Sequence, residues 1–336
     1  MKLLLLMRAV MKLRTFIWSS CIAFFTLSPQ VQAQADSYPN RPVRLIVPFA
    51  AGGSMDFSGR LLASRLSKYW SQPVVVENRG GAGGLIGVQE LLKASPDGYT
   101  LLLAASSLAL LPSTRKDLRF DIETSLAPIA TFSTGGYAML VNEALQIDSV
   151  KDFINYANKN PGSVNFASPG TGSSNHLVGE LFKRKAGLDM VHVPYKGDGP
   201  ATTAMMAGEV QMSFSPLLNA LPASRSGKVK ILAVTSPERM QGEEVSEFPT
   251  VDESGLPGFN AVWFQGLFTL AGTPLAVLDK LYADTTKVLD DPVVQRELLA
   301  RGAVPGTDGP GQFAETFSRE IKLWSEVAEA AGIEPQ

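Results

Sequence analysis

Val43-Arg44-Leu45-Ile46-Val47, then Pro48-Phe49-Ala50-Ala51-Gly52-Gly53, then Ser54 through Trp70 is the stretch on which the fold class turns. Its first five residues are rich in β-branched and aliphatic side chains and read as a strand. Pro48 and the paired glycines break that pattern. From Ser54 the apolar residues Phe57, Leu61, Leu62, Leu66 and Tyr69 recur at helical spacing, which predicts a helix with that face buried. The unit then repeats. Pro73 to Glu77 reads as a strand, Asn78 to Gly84 as a glycine-rich turn, Leu85 to Ala94 as a helix and Tyr99 to Ala104 as a buried strand. Strands joined through helices lie parallel, so the chain belongs to the α/β class.

A second set of the same units begins near Ser149, which is placed to cap a helix through Asn158, with Asp152 in a capping-box position. Val164 to Ala167, Val191 to Pro194, Val210 to Phe214 and Lys230 to Thr235 read as strands, and Ser174 to Ala186 and Gly199 to Ala207 as helices. Thr273-Pro274 and Asp291-Pro292 each read as an N-cap followed by proline at the first helical position. Phe313, Phe317, Ile321, Trp324 and Val327 repeat at helical spacing near the C-terminus.

The chain has 336 residues, 45% hydrophobic and 18% charged, enough for about two domains with real cores. The formal net charge of −2 lacks the basic excess that phosphate neutralisation demands, which argues against a nucleic-acid partner. A single cysteine excludes a disulfide framework and a thiolate metal cluster, and two histidines without helical spacing argue against a catalytic zinc site. No cofactor and no metal are expected. The N-terminus is compositionally foreign: Lys2, Arg8, Lys12 and Arg14 are its only charges before Asp36, an apolar stretch runs from Phe16 to Leu27, and Val31-Gln32-Ala33 supplies small residues for cleavage. Residues 1–33 therefore read as a secretory signal peptide, with Met11 as an alternative start. Cleavage after Ala33 removes Cys21 and four of the 30 basic residues but none of the 32 acidic ones, taking the net charge from −2 to −6. No later segment is apolar enough to insert into a membrane.

Three loops share one design of strand end, small residues and helix start: Phe49 to Ser54, Arg79 to Gly84, and Ser168 to Ser174. Small residues let backbone N–H groups approach a ligand, and the helix start behind them carries free donors and partial positive charge. That makes an anion site without basic side chains. The hydroxyls of Ser54, Thr171, Ser173 and Ser174 favour this reading for the first and third loops, while the second reads slightly better as tight turns. Dinucleotide and P-loop motifs fail: Ile86 stands where the third glycine would be, and no Gly-Lys-Ser/Thr triplet exists. A Ser173–His176 hydrolase pair lacks the Gly-x-Ser-x-Gly elbow. His192 reads as a core histidine. Tyr195 leaves its strand at the C-terminal end, where α/β ligands bind, and Lys196 reads as a surface lysine. Trp263-Phe264 reads as packing.

The residues from Pro48-Phe49 with Gly52-Gly53 and Asp56, through Pro73 to Arg79, Pro96-Asp97-Gly98-Tyr99, Val191-His192-Val193-Pro194-Tyr195-Lys196-Gly197, Phe248-Pro249-Thr250 and Ala271-Gly272-Thr273-Pro274, resemble the Bug family, the periplasmic solute-binding components of tripartite tricarboxylate transporters. The likeness runs from about Tyr38 to Ile333. It implies a two-lobed periplasmic binding protein of type II-like α/β architecture with the ligand cleft between lobes. Lobe 1 would comprise residues 36–139 and 260–336, and lobe 2 residues 140–259. It implies a periplasmic, non-enzymatic receptor for a small carboxylate that delivers to the membrane subunits of a transporter. A periplasmic serine hydrolase and a sensory binding protein feeding a signalling receptor are the alternatives. The implied ligand-binding set is Phe49, Ala51, Gly52, Gly53, Ser54, Asp56, Ser106, Ser107, Ser168, Gly170, Thr171, Gly172, Ser173, His176 and Tyr195. Two departures stand out. Ala50-Ala51 replaces the usual prolines, and Ser215-Pro216 stands where many members place an aspartate, which counts against an amino-acid ligand.

The leader reading predicts a mature N-terminus at Gln34. Intact-mass spectrometry of the secreted protein checks this, and a species retaining residues 1–33 would contradict it.

Overall fold

The computed structural model describes residues 38–242 and 244–335; the leader and its cleavage site lie outside the described residues. β1 (Val43–Val47) is flanked by two parallel strands, β2 (Val74–Asn78) and β3 (Thr100–Ala105). α1 (Ser54–Trp70) connects β1 to β2 and stops where Ser71 turns into the left-handed region at φ 51°. The helix buries Met55, Ser58, Gly59, Leu62, Ala63, Leu66 and Trp70, whereas Tyr69 stays 49% exposed. This face is rotated from the one that the periodicity predicts. Gly59 sets the rotation: a Cβ there would stand 2.6 Å from Val47 Cγ2, so the bare backbone is what lies against the sheet. At the far end the Trp70 indole donates to the buried Asp284 carboxylate at 2.7 Å. α2 (Leu85–Leu91), α3 (Ser107–Thr114) and the short α4 (Ile122–Ser125) complete this first region.

β4 (Leu126–Asn142) is 17 residues long and joins the two halves of the sheet. Its first part, as far as Gly136, runs antiparallel to β9 (Val262–Leu270). Its second part, from Tyr137, runs antiparallel to β7 (Met212–Pro216) and β8 (Val229–Val234). The overall strand order is β2-β1-β3-β9-β4-β7-β5-β6, with β5 (Val164–Ser168) and β6 (Met190–Pro194) parallel at the far edge. β10 (Val304–Pro305) pairs with β4 at Ser133 and Thr134. Two small lobes therefore share one continuous strand, and the chain crosses back just ahead of β9. At the crossing, Gly135 lies under the Trp263 ring and Gly136 against Ser236, where a Cβ would come within 2.9 Å of the Ser236 backbone nitrogen.

In the second half, α5 (Val150–Lys159) starts as read: the Ser149 hydroxyl accepts from the Asp152 N–H and donates to its carboxylate at 2.6 Å. α6 (Ser174–Ala186), α7 (Asp198–Ala207) and α8 (Leu217–Ser224) cover this part of the sheet. The C-terminal third returns to the first half as α9 (Leu275–Leu289), α10 (Pro292–Leu299) and α11 (Pro310–Ala330). Asp291 caps α10 through the Val293 N–H. Thr273 does not cap α9: its hydroxyl donates to the Leu270 carbonyl at 2.8 Å, and the helix begins after Pro274.

Phe268 on β9 sits between Phe313 and Phe317 of α11, with ring centroids 5.0 and 5.2 Å away, and all three side chains are buried. Phe268→Ala is expected to cost about 3–5 kcal/mol, the loss of a large aromatic plus the cavity left behind. Urea unfolding of wild type and variant measures it; a loss below about 1 kcal/mol would mean that α11 collapses freely onto the gap.

A cleft between the two halves of the sheet

The loop after β1 is held from three sides. The Gly52 N–H donates to Asp56 Oδ2 at 2.9 Å, Asn78 Nδ2 donates to the Phe49 carbonyl at 3.1 Å, and Gly80 lies so close that a Cβ would stand 3.2 Å from the Ala50 nitrogen. The Arg60 guanidinium and the Gly52 N–H hold the Asp56 carboxyl down at about 2. Asp56 is thus a buried tie at the base of the loop. No side chain caps α1: Gly53 is its N-cap and makes no side-chain bond. The first N–H groups of a helix have no partner within it, so at α1 they face outward over the loop.

They face a cavity of about 820 Å³. Its first wall is Phe49 to Ser54, Ser106 and Ser107, with Phe57, Leu298, Arg301 and Ala303 beside them. Its second wall is Tyr137, Ser174, Asn175, Asp198, Pro216 and Asn219, and Trp263 to Gln265 of β9 form the remainder. Of the fifteen residues expected from sequence, Phe49, Ala51, Gly52, Gly53, Ser54, Ser106 and Ser107 line this cavity. The Ser106 hydroxyl is occupied, accepting from the Phe264 N–H at 2.6 Å, and that of Ser107 donates to the Gly83 carbonyl at 3.1 Å. None of residues 79–84 lines the cavity; their glycines support the first loop from behind.

The third loop is placed differently. Ser168, Gly170, Gly172 and Ser173 do not line the cleft, and the loop presents Ser174 and Asn175 to it instead. Ser173 is the N-cap of α6: its hydroxyl accepts from the His176 backbone N–H at 3.3 Å and donates to the Gly170 carbonyl at 2.7 Å. The His176 ring does not engage Ser173. It accepts the Gly172 N–H at Nδ1, 3.1 Å away, and stacks on His192 at 3.6 Å between centroids. The dyad that a hydrolase reading requires is therefore not formed here. His176 and Thr171 face a second space of about 700 Å³ behind the loop, together with Glu180, Lys183, His192 and the segment from Ala331 to Pro335. Tyr195 is half-buried against the second half's own core, and its N–H continues the β5–β6 ladder to Ser168.

Sequence reasoning missed Arg301, Asp198, Asn175, Tyr137 and Trp263 as cleft residues. The Arg301 guanidinium lies 3.6 Å over the Phe57 ring, and its Nη1 donates to the Glu297 carbonyl at 3.0 Å. Nothing in its sequence neighbourhood signals this, because α10 brings it in from the C-terminal third. Asp198 opens α7 immediately after Tyr195-Lys196-Gly197, and that position beyond a strand end was a readable sign. Asp198 is an exposed residue that lines the cleft, and partial desolvation by the protein around it raises its pKa. The Trp263 indole donates to the Gly136 carbonyl at 3.1 Å, so its ring is both hinge packing and cleft wall. Among the described residues no group of His, Cys, Asp or Glu could hold a metal ion, and no helix is long and apolar enough to cross a membrane.

A cleft at the seam of two α/β lobes, walled by helix starts, is the arrangement of a solute-binding protein, and the sequence comparisons agree. The tripartite tricarboxylate transporter family receptor profile matches residues 59–333. This chain belongs to that family. The BugT protein of Bordetella pertussis is 34% identical over 304 residues, covering 89% of this receptor and 91% of BugT. Among solved structures, R. palustris Rpa4515 with adipate is 31% identical with a TM-score of 0.76, covering 89% of this receptor and 100% of that chain. Periplasmic binding protein BugD is 33% identical at a TM-score of 0.72, covering 89% and 100%. MatC of Rhodopseudomonas palustris, with bound malate, is 32% identical at 0.70, covering 86% of this receptor and 99% of MatC.

The stacked histidines give this receptor a pH signature. Burial, first of all, lowers His176 to about 3 and His192 to about 4, from 6.5; the neighbouring charge of Lys183 adds to both, and His192 itself to His176. Both rings are neutral in the folded protein at neutral pH, while the unfolded chain takes up protons below about 6.5. Stability is therefore complete above that pH and falls as the pH drops toward 4. Urea midpoints from about pH 7.5 to 4.5 check this. The double variant His176→Gln, His192→Phe is expected to flatten the slope, and an unchanged slope would place the effect elsewhere.

Proposed function

We propose that the cleft captures a small carboxylate outside the cytoplasm and delivers it to the membrane subunits of a tripartite transporter. The observation that carries this is the uncapped start of α1 at Gly53, opening on a cavity of small-ligand size with Arg301 on the same wall. A carboxylate accepts two or more of the outward N–H groups, and each hydrogen bond to a charged partner contributes about 1.5–3 kcal/mol. Asp56 offsets part of the helix dipole, but Arg60 and the Gly52 N–H hold its charge at the back of the loop. The adipate and malate held by Rpa4515 and MatC are carboxylates of fitting size. Export through the leader and residence in the periplasm complete the reading. Under it the lobes comprise residues 36–139 with 260–336, and 140–259, and the hinge falls where β4 changes partners between Gly136 and Tyr137.

A thermal-shift panel of mono-, di- and hydroxycarboxylates, followed by calorimetry of the hits, tests the capture. Gly53→Glu is the diagnostic variant. The nearest atom to a Cβ at Gly53 is 3.8 Å away, so the side chain is accommodated while its charge stands at the helix start. Carboxylate affinity is expected to fall more than about 100-fold with the fold intact, the consequence of a like charge where the anion sits. Unchanged affinity would remove the helix start from the mechanism, and turnover of an activated ester by the wild type would favour the hydrolase.

A further inference from the structure

The two walls of the cleft differ in charge. The first carries the start of α1 and the Arg301 guanidinium; Nη1 of Arg301 is engaged by Glu297, while its Nε and Nη2 make no hydrogen bond among the described residues. The second carries Asp198, and no basic side chain lines it. Among the described residues the Asp198 carboxylate takes part in no salt bridge and receives one long hydrogen bond, from Asn175 Nδ2 at 3.3 Å. That amide gives its other hydrogen to the Phe214 carbonyl at 2.9 Å. Both donors of Asn175 are thus consumed, and what it has left for the cleft is its acceptor oxygen. Asp198 and Asn175 together make a wall of acceptors beside an uncompensated negative charge.

We infer that the ligand is an amino-carboxylate, its carboxylate on the α1 start and Arg301 and its ammonium group on Asp198 and Asn175. This rests on reading the cleft as a carboxylate-capture site. The second wall selects the far end of the molecule. A second carboxylate there would stand beside Asp198 as a like charge. A hydroxyl would satisfy one acceptor and leave the charge standing. An ammonium group brings three donors and the compensating charge at once. Desolvation raises the Asp198 pKa, and a cation beside the carboxylate would draw it back down. The aspartate missing at Ser215 thus has a counterpart one element earlier, at the start of α7.

Length-matched pairs test this by calorimetry on the mature protein: succinate against β-alanine, glutarate against 4-aminobutyrate, adipate against 6-aminohexanoate, and malate as the hydroxy acid. At least one amino-carboxylate is expected to bind about tenfold or more tighter than its dicarboxylate partner. Asp198→Asn keeps the shape and removes the charge. It is expected to weaken that amino-carboxylate about 10- to 100-fold and to tighten its dicarboxylate partner, which no longer meets a like charge. Dicarboxylates or malate binding in preference to every amino-carboxylate would overturn the inference and leave the capture reading standing. So would an amino-carboxylate preference that survives Asp198→Asn. Binding by neither series would overturn the capture reading and the inference with it.

Discussion

Everything in this receptor hangs on one strand having to serve two halves of a sheet. β4 is hydrogen-bonded to β9 through its first part and to β7 and β8 through its second. The change of partner falls between Gly136 and Tyr137, just after two glycines on which Trp263 and Ser236 press in turn. Side chains here would push the two crossing segments apart. Their absence lets the segments pass close together, and that closeness is why the residues beside them, Tyr137 and Trp263, belong to the cleft. The binding surface is then built from what each half brings to this seam: loop and helix starts that follow strands at their C-terminal ends, where α/β proteins place their ligands.

The parts of the fold that were legible are those whose information is local. The helices at Ser54–Trp70 and Ser174–Ala186 begin and end where the sequence reading puts them, since apolar spacing and small-residue boundaries act within a few residues. β4 was not legible. Pro128, two register shifts and the paired glycines interrupt its pattern, and its stability comes from β7, β8 and β9, all far along the chain. The same division runs through the site. The Phe49–Ser54 loop is readable because backbone donors need small residues, a compositional sign. The Ser168–Ser173 loop carries the same composition, yet its hydroxyls and glycines serve the cap of α6 and the histidine stack behind it. Composition shows that a loop can approach a ligand closely; only the fold decides which side of the loop the ligand is on. Arg301 left no local trace, because what brings it to the cleft is its guanidinium lying over Phe57, a residue far away in sequence.

The cleft divides its labour between backbone and side chain. On the proposed reading, the donors at the start of α1 belong to the backbone and persist through every substitution but proline, so the grip on a carboxylate tolerates drift in the surrounding side chains. The opposite wall presents Asp198, an exposed side chain that a single substitution alters without touching the core. A general grip on one half and an adjustable discriminator on the other is a physical route to many ligand preferences on one framework.

The return of the chain also orders its assembly in time. β3 pairs with β9 across residues 102–105 and 265–268, so the first half-sheet cannot finish until the C-terminal third exists. β5, β6 and β7 come from one run between Val164 and Pro216 and can pair as soon as that run is complete. Distant pairings carry the greater loop-closure cost and form slowly. A chain emerging N-terminus first thus leaves the apolar faces of β1 to β3 without their final partner for most of its synthesis.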